Sequence, residues 1–586
     1  MRDPRHVAPT LVDAVRALGD DRQRGFVFVR PDGTEKLLSF HAIAAEAGRR
    51  GAHLAALGLR KGDRLALVLP EGEEFVLSFL GALFAGLVPV PIYPQLSFKN
   101  IDGYHDTVAH IVKASGAAAL LTSAATQPYL DPVVARAPGP FAIVTVEALA
   151  GSAGACPEPS VASGDLAFLQ FTSGSTSRPK GVMVTHGNLR ANAEAFMVHG
   201  LDRDPAVDKG VSWLPLFHDM GLIGFVVGPL FTNIPCVFLP TASFVRAPRL
   251  WLEKIHAHRG TITYAPNFAY ALVAKRLREG DVDGLDLSCL RVAGCGAEPI
   301  QARALRDFAD RLAPAGFDPA AFLPSYGMAE ATLAITFAPL RQGLQTDRTS
   351  AGHELVDCGV PFPGHELAIV DDAGQRLPAR QVGQIVTRGP SVTPGYFQEA
   401  ELTAQTYKPL AGDASPDPQP WLHTGDLGYV ADGRLFVCGR VKDIVIVRGR
   451  NYYPSDIEWA VSELPGVRRG NAVAFGVGVD GQEQLVVCCE GAAADVAAIT
   501  DAVGACVAAR FGLAVHEVVV AQLASLPRTS SGKPQRSKTR EMYLDGTLLR
   551  ARVAHPAPAQ PAAGADAAGG VAGSQACRDG DTLSGQ

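Results

Sequence analysis

The chain has 586 residues, with 53 lysines and arginines against 59 acidic residues, a formal net charge of −6. This length predicts two or more domains, and the charge balance does not favour nucleic acid or an anionic membrane as a partner. The ten cysteines form no CxxC pair, which argues against a zinc site or a disulfide framework and favours a cytoplasmic protein. An uncharged stretch at 220–243 is interrupted by Pro229, Pro235 and Pro240, so it predicts a buried helix and strand rather than a transmembrane segment.

The first 150 residues alternate strand-like and helix-like segments. Residues 65–69 form an apolar strand pattern, 75–84 have helical spacing of apolar positions, and 88–92 begin another strand pattern. This alternation predicts a layered α/β architecture with a parallel sheet.

Residues 171–181, Phe-Thr-Ser-Gly-Ser-Thr-Ser-Arg-Pro-Lys-Gly, have the composition of a phosphate-binding loop. Strand patterns at 165–171 and 182–185 flank this loop. A Walker A loop must instead lead into a helix, so that reading is excluded. The next helix is predicted to begin at an Asn188 N-cap. The expected phosphate contacts are hydroxyl, backbone N–H and ammonium donors at Thr172, Ser173, Gly174, Ser175, Thr176 and Lys180.

The pair His218 and Asp219 lies where a strand pattern gives way to glycine-punctuated apolar sequence. The residues alone are equally compatible with a structural pair and with a catalytic one. The uncharged region 222–239 behind the pair suits either an apolar tunnel for a substrate or an ordinary hydrophobic core.

Two later segments, 292–300 and 324–332, are strand patterns broken by glycine. Glycine allows a flat base to approach the backbone, and Tyr326 offers a ring for stacking. Glu330 is a candidate Mg²⁺ ligand, because Mg²⁺ binds through one or two carboxylates plus substrate oxygens. The alternative is an acidic residue in the first turn of a helix.

The remaining candidates lie in the last third of the chain. Residues 421–428 predict a glycine-flanked turn that presents Asp426 to two ribose hydroxyls, with a surface turn as the alternative. Two strand patterns are predicted to join at 439–440, and Ser455 is a predicted N-cap. Lys533 lies in a Gly-Lys-Pro turn. From 552 onward the alanine, proline and glycine content predicts a disordered tail without a carrier-protein module.

Together these motifs resemble those of the adenylate-forming enzymes. Ala329 and the sequence Arg-Asn-Tyr-Tyr-Pro at 450–454 are most similar to the fatty acyl-AMP ligases and their close relatives. The resemblance implies an α/β fold with a large N-terminal multi-subdomain AMP-binding domain at 1–440 and a hinge at 441–442. A small mobile C-terminal α+β domain would occupy 443–547, followed by the tail at 548–586.

The resemblance also implies roles for individual residues. Lys180, His218 and Lys533 would be catalytic, with Lys533 bridging the acyl carboxylate and the α-phosphate, and Lys442 would be the hinge. Asp426 would hold the ribose, Arg440 the ribose or a phosphate, and Glu330 and Thr172 the Mg²⁺ ion. The residues implied on the adenine side are Gly296, Ala297, Glu298, Tyr326, Gly327 and Met328.

The implied reaction is the ATP-dependent conversion of a fatty or related apolar acid to an acyl-adenylate. Transfer to the thiol of a separate acyl carrier protein would follow. Free coenzyme A is the alternative acceptor, because 333–356 is short for the insertion that fatty acyl-AMP ligases carry. An amino-acid adenylation enzyme is disfavoured by His218, and a silent nucleotide-binding homologue by intact Lys180, Glu330, Asp426 and Lys533.

Overall fold

The computed structural model describes residues 7–95, 101–137, 141–150, 159–172, 178–278, 280–348, 354–413, 419–447, 450–479, 482–528 and 534–551. These residues form an α/β structure in which sheets are covered by helices, and the largest hydrophobic core extends from Val7 to Leu435. A separate core lies within residues 445–551. The predicted α/β class with an additional small α+β unit is therefore confirmed.

The helices are numbered in chain order. They are Leu11–Ala17 (α1), Phe40–Ala56 (α2), Gly72–Phe84 (α3), Ile101–Ser115 (α4), Gln127–Arg136 (α5), His186–Ala193 (α6), Asp219–Leu222 (α7), Gly228–Thr232 (α8), Thr241–Arg246 (α9), Arg249–His258 (α10), Asn267–Arg276 (α11), Ala302–Leu312 (α12), Ala400–Thr406 (α13), Pro454–Ser462 (α14), Val496–Phe511 (α15) and Arg536–Leu544 (α16). Two π-helical segments, Glu194–Gly200 and Ile223–Val227, continue α6 and α7.

The strands are numbered in the same way. They are Gly25–Val29 (β1), Glu35–Ser39 (β2), Arg64–Leu67 (β3), Val88–Pro91 (β4), Ala117–Thr122 (β5), Ala142–Thr145 (β6), Leu166–Thr172 (β7), Lys180–Thr185 (β8), Gly210–Ser212 (β9), Cys236–Phe238 (β10), Ile262–Ala265 (β11), Val292–Cys295 (β12), Phe322–Gly327 (β13), Ala334–Phe337 (β14), Thr346–Arg348 (β15), Glu354–Val356 (β16), Val360–Pro361 (β17), Glu366–Val370 (β18), Gly383–Arg388 (β19), Tyr407–Lys408 (β20), Trp421–Ala431 (β21), Arg434–Arg440 (β22), Val445–Val447 (β23), Arg450–Tyr452 (β24), Val467–Val479 (β25), Gln482–Gly491 (β26) and Val515–Ala521 (β27).

A sheet that has nine strands in the described chain carries most of the candidate residues. Its order is β17-β14-β13-β12-β11-β9-β10-β1-β2, and the central strands from β13 to β1 are parallel. The carboxyl ends of parallel strands meet at one edge of a sheet, which is where α/β proteins bind ligands. Segments 296–298 and 325–328 both lie at this edge.

A second parallel sheet, in the order β4-β3-β5-β6, is formed by the alternating segments near the N-terminus. The predicted strand–helix–strand pattern is confirmed there. Helix α3 follows β3 and precedes β4 in the sequence, and it is almost entirely buried. Residues 220–243 also follow the prediction, because α7, α8 and β10 are buried. No helix within the described residues has the length and apolar character needed to cross a bilayer.

The helix after the phosphate-loop region begins one turn earlier than predicted. The N-cap of α6 is Thr185, whose hydroxyl accepts a hydrogen bond from the Asn188 amide at 3.0 Å. The Asn188 side chain in turn accepts one from the Thr185 amide at 3.2 Å, which completes a capping box. The prediction of Asn188 as the N-cap was therefore wrong, because β8 already ends in a residue that can cap.

The small unit consists of β23–β27 with α14, α15 and α16. The residue that caps α14 is Tyr453, and Ser455 lies inside the helix, so the predicted Ser455 cap was wrong. A proline at the start of α14 fits the first turn of a helix without a side-chain cap. Leu548 is buried and the Ala551 amide donates to the Val520 carbonyl at 2.8 Å, so the tail does not begin at 548. Residues 552–586 lie outside the described residues.

Candidate active site

The two flanks of the phosphate-loop segment form an antiparallel hairpin, as predicted. Strands β7 and β8 pair along their length, and Thr172 lies opposite Lys180 at the end next to the connecting segment. Both residues are half-buried. The intervening candidates Ser173, Gly174, Ser175 and Thr176 lie outside the described residues.

Residues 395–397, which belong to none of the predicted motifs, lie along the free edge of β8. The Met183 amide donates to the Gly395 carbonyl at 2.9 Å, and the Phe397 amide donates to the Gly181 carbonyl at 2.8 Å. This pairing brings the ring centre of Tyr396 to 6.0 Å from Nζ of Lys180. The Tyr396 side chain therefore borders the predicted phosphate site.

Glu330 lies in a single 3-10 turn, Ala329–Ala331, and is only 9 % exposed. Its Oε1 accepts a hydrogen bond from the Tyr396 hydroxyl at 2.7 Å. Burial raises the pKa of Glu330, whereas the Tyr396 hydrogen bond and the positive charge of Arg440 oppose the rise. The residue is thus a buried carboxylate rather than an exposed acid in the first turn of a long helix.

The donor set around Glu330 fits Mg²⁺. A buried carboxylate whose charge is unfavourable gains from a cation, and Asp219 is near enough to raise its pKa further. Within the described residues no group of three or more His, Cys, Asp or Glu side chains could hold a metal ion. Such a site suits an ion that takes most of its ligands from phosphate oxygens and water.

Asp426 lies within strand β21 and not in the predicted turn, so that prediction was wrong. The glycines on either side are accommodated in the strand, with Gly425 at a φ of +73°. The Asp426 carboxylate accepts hydrogen bonds from the Tyr326 hydroxyl at 2.7 Å and from Nε of Arg440 at 3.0 Å. Arg440 faces Asp426 across the β21–β22 pair. Three residues predicted separately for the nucleotide therefore meet in one cluster.

The residues predicted on the adenine side lie at the ends of two adjacent parallel strands. Gly296, Ala297 and Glu298 follow β12, whereas Tyr326, Gly327 and Met328 end and follow β13. A Cβ on Gly296 would lie 2.7 Å from the Ser325 hydroxyl and 3.1 Å from the Ser325 carbonyl oxygen, so a larger residue there would force Ser325 to shift. Glu298 accepts a hydrogen bond from the Phe268 amide at 2.8 Å.

A narrow cavity leads from this strand edge into the interior and has about 760 Å³ of space between atoms, its mouth included. At the mouth it is lined by Asp219, Gly296, Ala297, Tyr326 and Gly327. Its inner walls are mainly apolar. They include Phe196, Met197, Leu201, Gly224, Phe225, Ile234, Leu333 and Phe337. A cavity is therefore present in the region behind His218 where the sequence allowed an apolar tunnel. Part of its wall comes from segments that were not predicted.

His218 lies beside the cavity mouth, immediately before α7, and its carbonyl accepts a hydrogen bond from the Leu222 amide at 2.8 Å. The adjacent Phe217 carbonyl accepts a hydrogen bond from the Gln170 side chain of β7 at 3.1 Å. This bond joins the His218 segment to the strand that ends at Thr172. The structure therefore brings His218 and the phosphate hairpin together.

The hinge candidate Lys442 lies in the 3-10 turn Val441–Asp443, so β22 and β23 are joined there and not at 439–440 as predicted. Desolvation lowers the pKa of Lys442, and the positive charges of Lys180 and Arg440 lower it further. Lys442 is therefore close to the predicted phosphate site.

Lys533 lies outside the described residues. The residues that flank it, Arg528 and Pro534, form an antiparallel bridge. Burial lowers the pKa of Arg528, and the negative charge of Glu298 partly offsets this effect. One flank of the Lys533 loop is therefore within electrostatic reach of the strand edge that carries the adenine-side candidates.

Sequence reasoning missed several residues at this site. Tyr396 lies in no motif, and it comes near Glu330 because residues 395–397 pair with the distant strand β8. Tyr264, Ser325 and Leu333 line the cavity but look like ordinary strand and loop residues. Of these residues, only Ser325 could have been selected from the sequence, since it directly precedes Tyr326 in the glycine-broken strand pattern.

The large sheet, the candidate residues at its edge and the cluster of Tyr326, Asp426 and Arg440 are the features of an adenylate-forming enzyme. The family model for AMP-binding enzymes matches residues 19–397, and the model for the Disco-interacting protein 2-like AMP domain matches residues 442–552. The chain belongs to the AMP-binding enzyme family and is a ligase.

Relatives and solved structures agree with this assignment. A long-chain-fatty-acid–AMP ligase, FadD26, of Mycobacterium marinum is 35% identical, covering 88% of this chain and 92% of the relative. The medium-chain-fatty-acid–[acyl-carrier-protein] ligase JamA of Moorena producens is 33% identical, covering 83% and 87%. A solved structure from studies of fatty acyl-adenylate ligases of E. coli and L. pneumophila has a TM-score of 0.83 and 33% identity, covering 92% of this chain and 98% of that one.

Proposed function

We propose that this protein activates a fatty or related apolar carboxylic acid with ATP. An oxygen of the acid carboxylate attacks the α-phosphorus, the bond to the β-phosphate oxygen breaks, and pyrophosphate leaves, so that an acyl-adenylate forms. The observation that carries the proposal is the cavity, which begins among the adenine-side candidates and continues between apolar side chains. A carboxylate at its mouth would lie next to the nucleotide while its chain is removed from water.

The roles proposed for the nucleotide cluster follow from its hydrogen bonds. Asp426 has two carboxylate oxygens, each of which already accepts one hydrogen bond, from Tyr326 and from Arg440 respectively. The spare lone pairs can accept from ribose hydroxyls, because an ionised carboxylate has about four acceptor positions. Tyr326, together with Gly296, Ala297, Glu298, Gly327 and Met328, would border the adenine.

The proposed phosphate site would combine positive charges with hydroxyl donors. Lys180 would hold the β- and γ-phosphates with Thr172 and residues 173–176, and Lys533 would bridge the acyl carboxylate and the α-phosphate. Such reactions depend on alignment and charge stabilisation rather than on covalent chemistry by the protein. Mg²⁺ held by Glu330, with Thr172 beside it, would neutralise charge on the departing pyrophosphate. His218 would orient the reacting carboxylate.

The proposed acceptor is the phosphopantetheine thiol of a separate acyl carrier protein. Support comes from the Ala329 and Arg-Asn-Tyr-Tyr-Pro resemblance and from JamA, a relative whose name includes this acceptor. Free coenzyme A is the second candidate. Lys442 would be the hinge on which residues 443–551 turn towards the thiol, and the domain limits 1–440 and 443 onward remain part of the proposal.

Adenylation is tested by acid-dependent pyrophosphate release with ATP and Mg²⁺ over a series of saturated acids. Lys180→Ala and Lys533→Ala are each expected to lower the rate about 10²- to 10³-fold, because a preorganised charge at the transition state is lost. Lys538→Ala is the matched control, since Lys538 is an exposed lysine of α16 that pairs with Glu541 at 3.1 Å. Wild-type protein without acid-dependent pyrophosphate release, or full activity in both site variants, would contradict the proposal.

The acceptor is tested by supplying coenzyme A and a holo acyl carrier protein in separate reactions. Mass spectrometry then identifies the thioester that forms. A carrier-bound product without acyl-CoA supports the proposal, whereas acyl-CoA alone supports the second candidate.

A further inference from the structure

One residue that lines the cavity has a buried hydroxyl with no hydrogen-bond partner in the described chain. Tyr264, the third residue of β11, lines the inner wall and is 9 % exposed. Its hydroxyl oxygen has no hydrogen-bond partner in the described part of the chain. Among the described residues that line the cavity, Tyr264 is the one whose buried side-chain polar atom lacks a hydrogen-bond partner.

The ring of Tyr264 is held in place by its neighbours. Tyr264 pairs in register with Gly294 of β12, and a Cβ on Gly294 would lie only 2.1 Å from the ring. The ring therefore lies against the bare backbone of that glycine, and the Phe337 ring lies 5.7 Å away on another side. A side chain fixed in this way cannot simply turn to find a distant partner.

A second hydroxyl belongs to the same wall. Ser325 of β13 lines the cavity, and its hydroxyl donates to the Cys295 carbonyl at 3.3 Å. Burial raises the pKa of Tyr264 well above its ordinary value, and the nearby Ser325 hydroxyl only partly opposes this rise. The phenol therefore stays protonated and can donate, but the two hydroxyls do not have the geometry of a hydrogen bond with each other.

Two buried side chains near Tyr264 show how such groups are usually satisfied in this core, although the Trp213 indole nitrogen also lacks a partner in the described chain. Tyr270 is fully buried, and its hydroxyl donates to the Gly294 carbonyl at 2.7 Å. Trp251 donates through Nε1 to the Thr263 hydroxyl at 2.9 Å. Leaving a buried donor without a partner is costly, so a partner from outside the chain is expected where the group meets a ligand cavity.

We propose that the acid bound in this cavity carries an oxygen substituent, a hydroxyl or a carbonyl, that accepts a hydrogen bond from Tyr264. Ser325 supplies a second polar contact on the same wall. The inference rests on the proposed adenylation of an apolar acid, and it adds that a purely hydrocarbon chain is the poorer substrate. The remainder of the chain still packs against the apolar side chains of the cavity.

The test compares acids of one length that bear a hydroxyl or an oxo group at each successive carbon with the unsubstituted acid. The measured quantity is the ratio of kcat/KM, substituted over unsubstituted, from pyrophosphate release. For the best position, wild-type protein is expected to give a ratio of about 3 to 10, the range of one net hydrogen bond. Tyr264→Phe is expected to bring the ratio close to one, mainly by lowering kcat/KM for the substituted acid.

Tyr270→Phe is the matched control, because it removes a buried hydroxyl in the same core that bonds to backbone and not to the cavity. Its ratio is expected to equal that of wild-type protein. Ser325→Ala provides a second variant if Tyr264→Phe unfolds, and it is expected to lower the ratio in the same direction.

The outcomes separate the two proposals. If no acid is activated by wild-type protein, the adenylation proposal fails and this inference falls with it. If acids are activated but unsubstituted chains are preferred at every position, or if Tyr264→Phe and Ser325→Ala leave the ratio unchanged, this inference alone is overturned.

Discussion

The Tyr396 hydroxyl donates a hydrogen bond of 2.7 Å to Oε1 of Glu330, although 66 positions separate the two residues. The bond joins the proposed metal ligand to the segment that pairs with the phosphate hairpin. It orients a buried carboxylate and stabilises its charged form.

Tyr396→Phe is therefore expected to lower kcat/KM for pyrophosphate release about tenfold and to raise the Mg²⁺ concentration needed for half-maximal rate. A hydrogen bond to a charged group contributes roughly 1.5–3 kcal/mol, which makes a tenfold effect a conservative estimate. The measurement is a Mg²⁺ titration at saturating ATP.

The control is Tyr407→Phe. Tyr407 packs against Tyr396 with ring centres 6.2 Å apart, but its hydroxyl is paired with Thr393 at 2.8 Å. An equal shift of the Mg²⁺ dependence in both variants would attribute the effect to packing and not to the bond with Glu330.

The hydrogen bond from Tyr326 to Asp426 predicts an effect on nucleotide binding. Tyr326→Phe keeps the ring but removes the donor that fixes the Asp426 carboxylate, so KM for ATP is expected to rise about 3- to 10-fold while KM for the acid changes little. Pyrophosphate exchange at varied ATP gives both constants. Tyr429→Phe is the comparison, because Tyr429 donates to Asp347 at 2.8 Å outside the site. A KM for ATP that stays at the wild-type value in Tyr326→Phe would remove the proposed orienting role.

The sequence predicted those parts of the site that depend on local pattern. The hairpin on either side of 173–177 follows from an apolar, partly alternating run before it and a β-branched run after it. The strand-end positions of 296–298 and 325–328 follow from glycine-broken strand patterns. Asp426 was assigned to a turn because Gly425 and Gly428 flank it, yet pairing with β19 and β22 holds that stretch in a strand. Tyr396 could not be predicted, since its position depends on pairing with Val182, which is remote in sequence.

The small size of Gly224 predicts which lengths of acid the cavity accepts. A Cβ at this position would meet only Cδ2 of Leu333 within 4 Å, at 3.7 Å, so alanine fits and larger side chains narrow the cavity. In the series Gly224→Ala, →Val and →Leu, kcat/KM for long acids is expected to fall progressively, by tenfold or more at leucine, while short acids keep most of their rate. The measurement is pyrophosphate release over acids of graded length.

Gly48→Ala is the control for that series. Gly48 lies in α2, and a Cβ there would meet nothing within 4 Å. Both alanine variants are expected to stabilise a helix, by about 1 kcal/mol in an ordinary α-helix, but only position 224 should change the preferred acid length. A length preference that stays constant through the leucine variant would show that Gly224 does not border the bound chain.

The buried His186 predicts a loss of stability in mild acid. Its Nδ1 accepts a hydrogen bond from the Leu11 amide at 3.4 Å, and burial lowers its pKa to about 4, although Asp165 and Asp13 oppose the shift. Between about pH 6.5 and 4 the unfolded chain binds this proton and the folded chain does not. Stability therefore falls as pH decreases through this window, by up to roughly 3 kcal/mol.

His186→Gln is expected to flatten this dependence, and melting temperatures of both proteins at pH 7.5, 6 and 5 measure it. His423, whose pKa is also lowered to about 4 by burial, remains in the variant and maintains part of the slope. Parallel melting curves across the three pH values would show that His186 is not the group responsible.

The ion pair between Arg303 of α12 and Glu463, which follows α14, bridges the large sheet's helical layer and the small unit at 3.3 Å. Because the Arg303 side chain is 64 % exposed, such a pair is worth roughly 0–1 kcal/mol, and physiological salt weakens it. On this flank, the ion pair that holds the small unit against the large one is therefore hardly stronger than thermal energy. If the small unit turns about Lys442 as proposed, this contact would therefore resist the rotation only weakly.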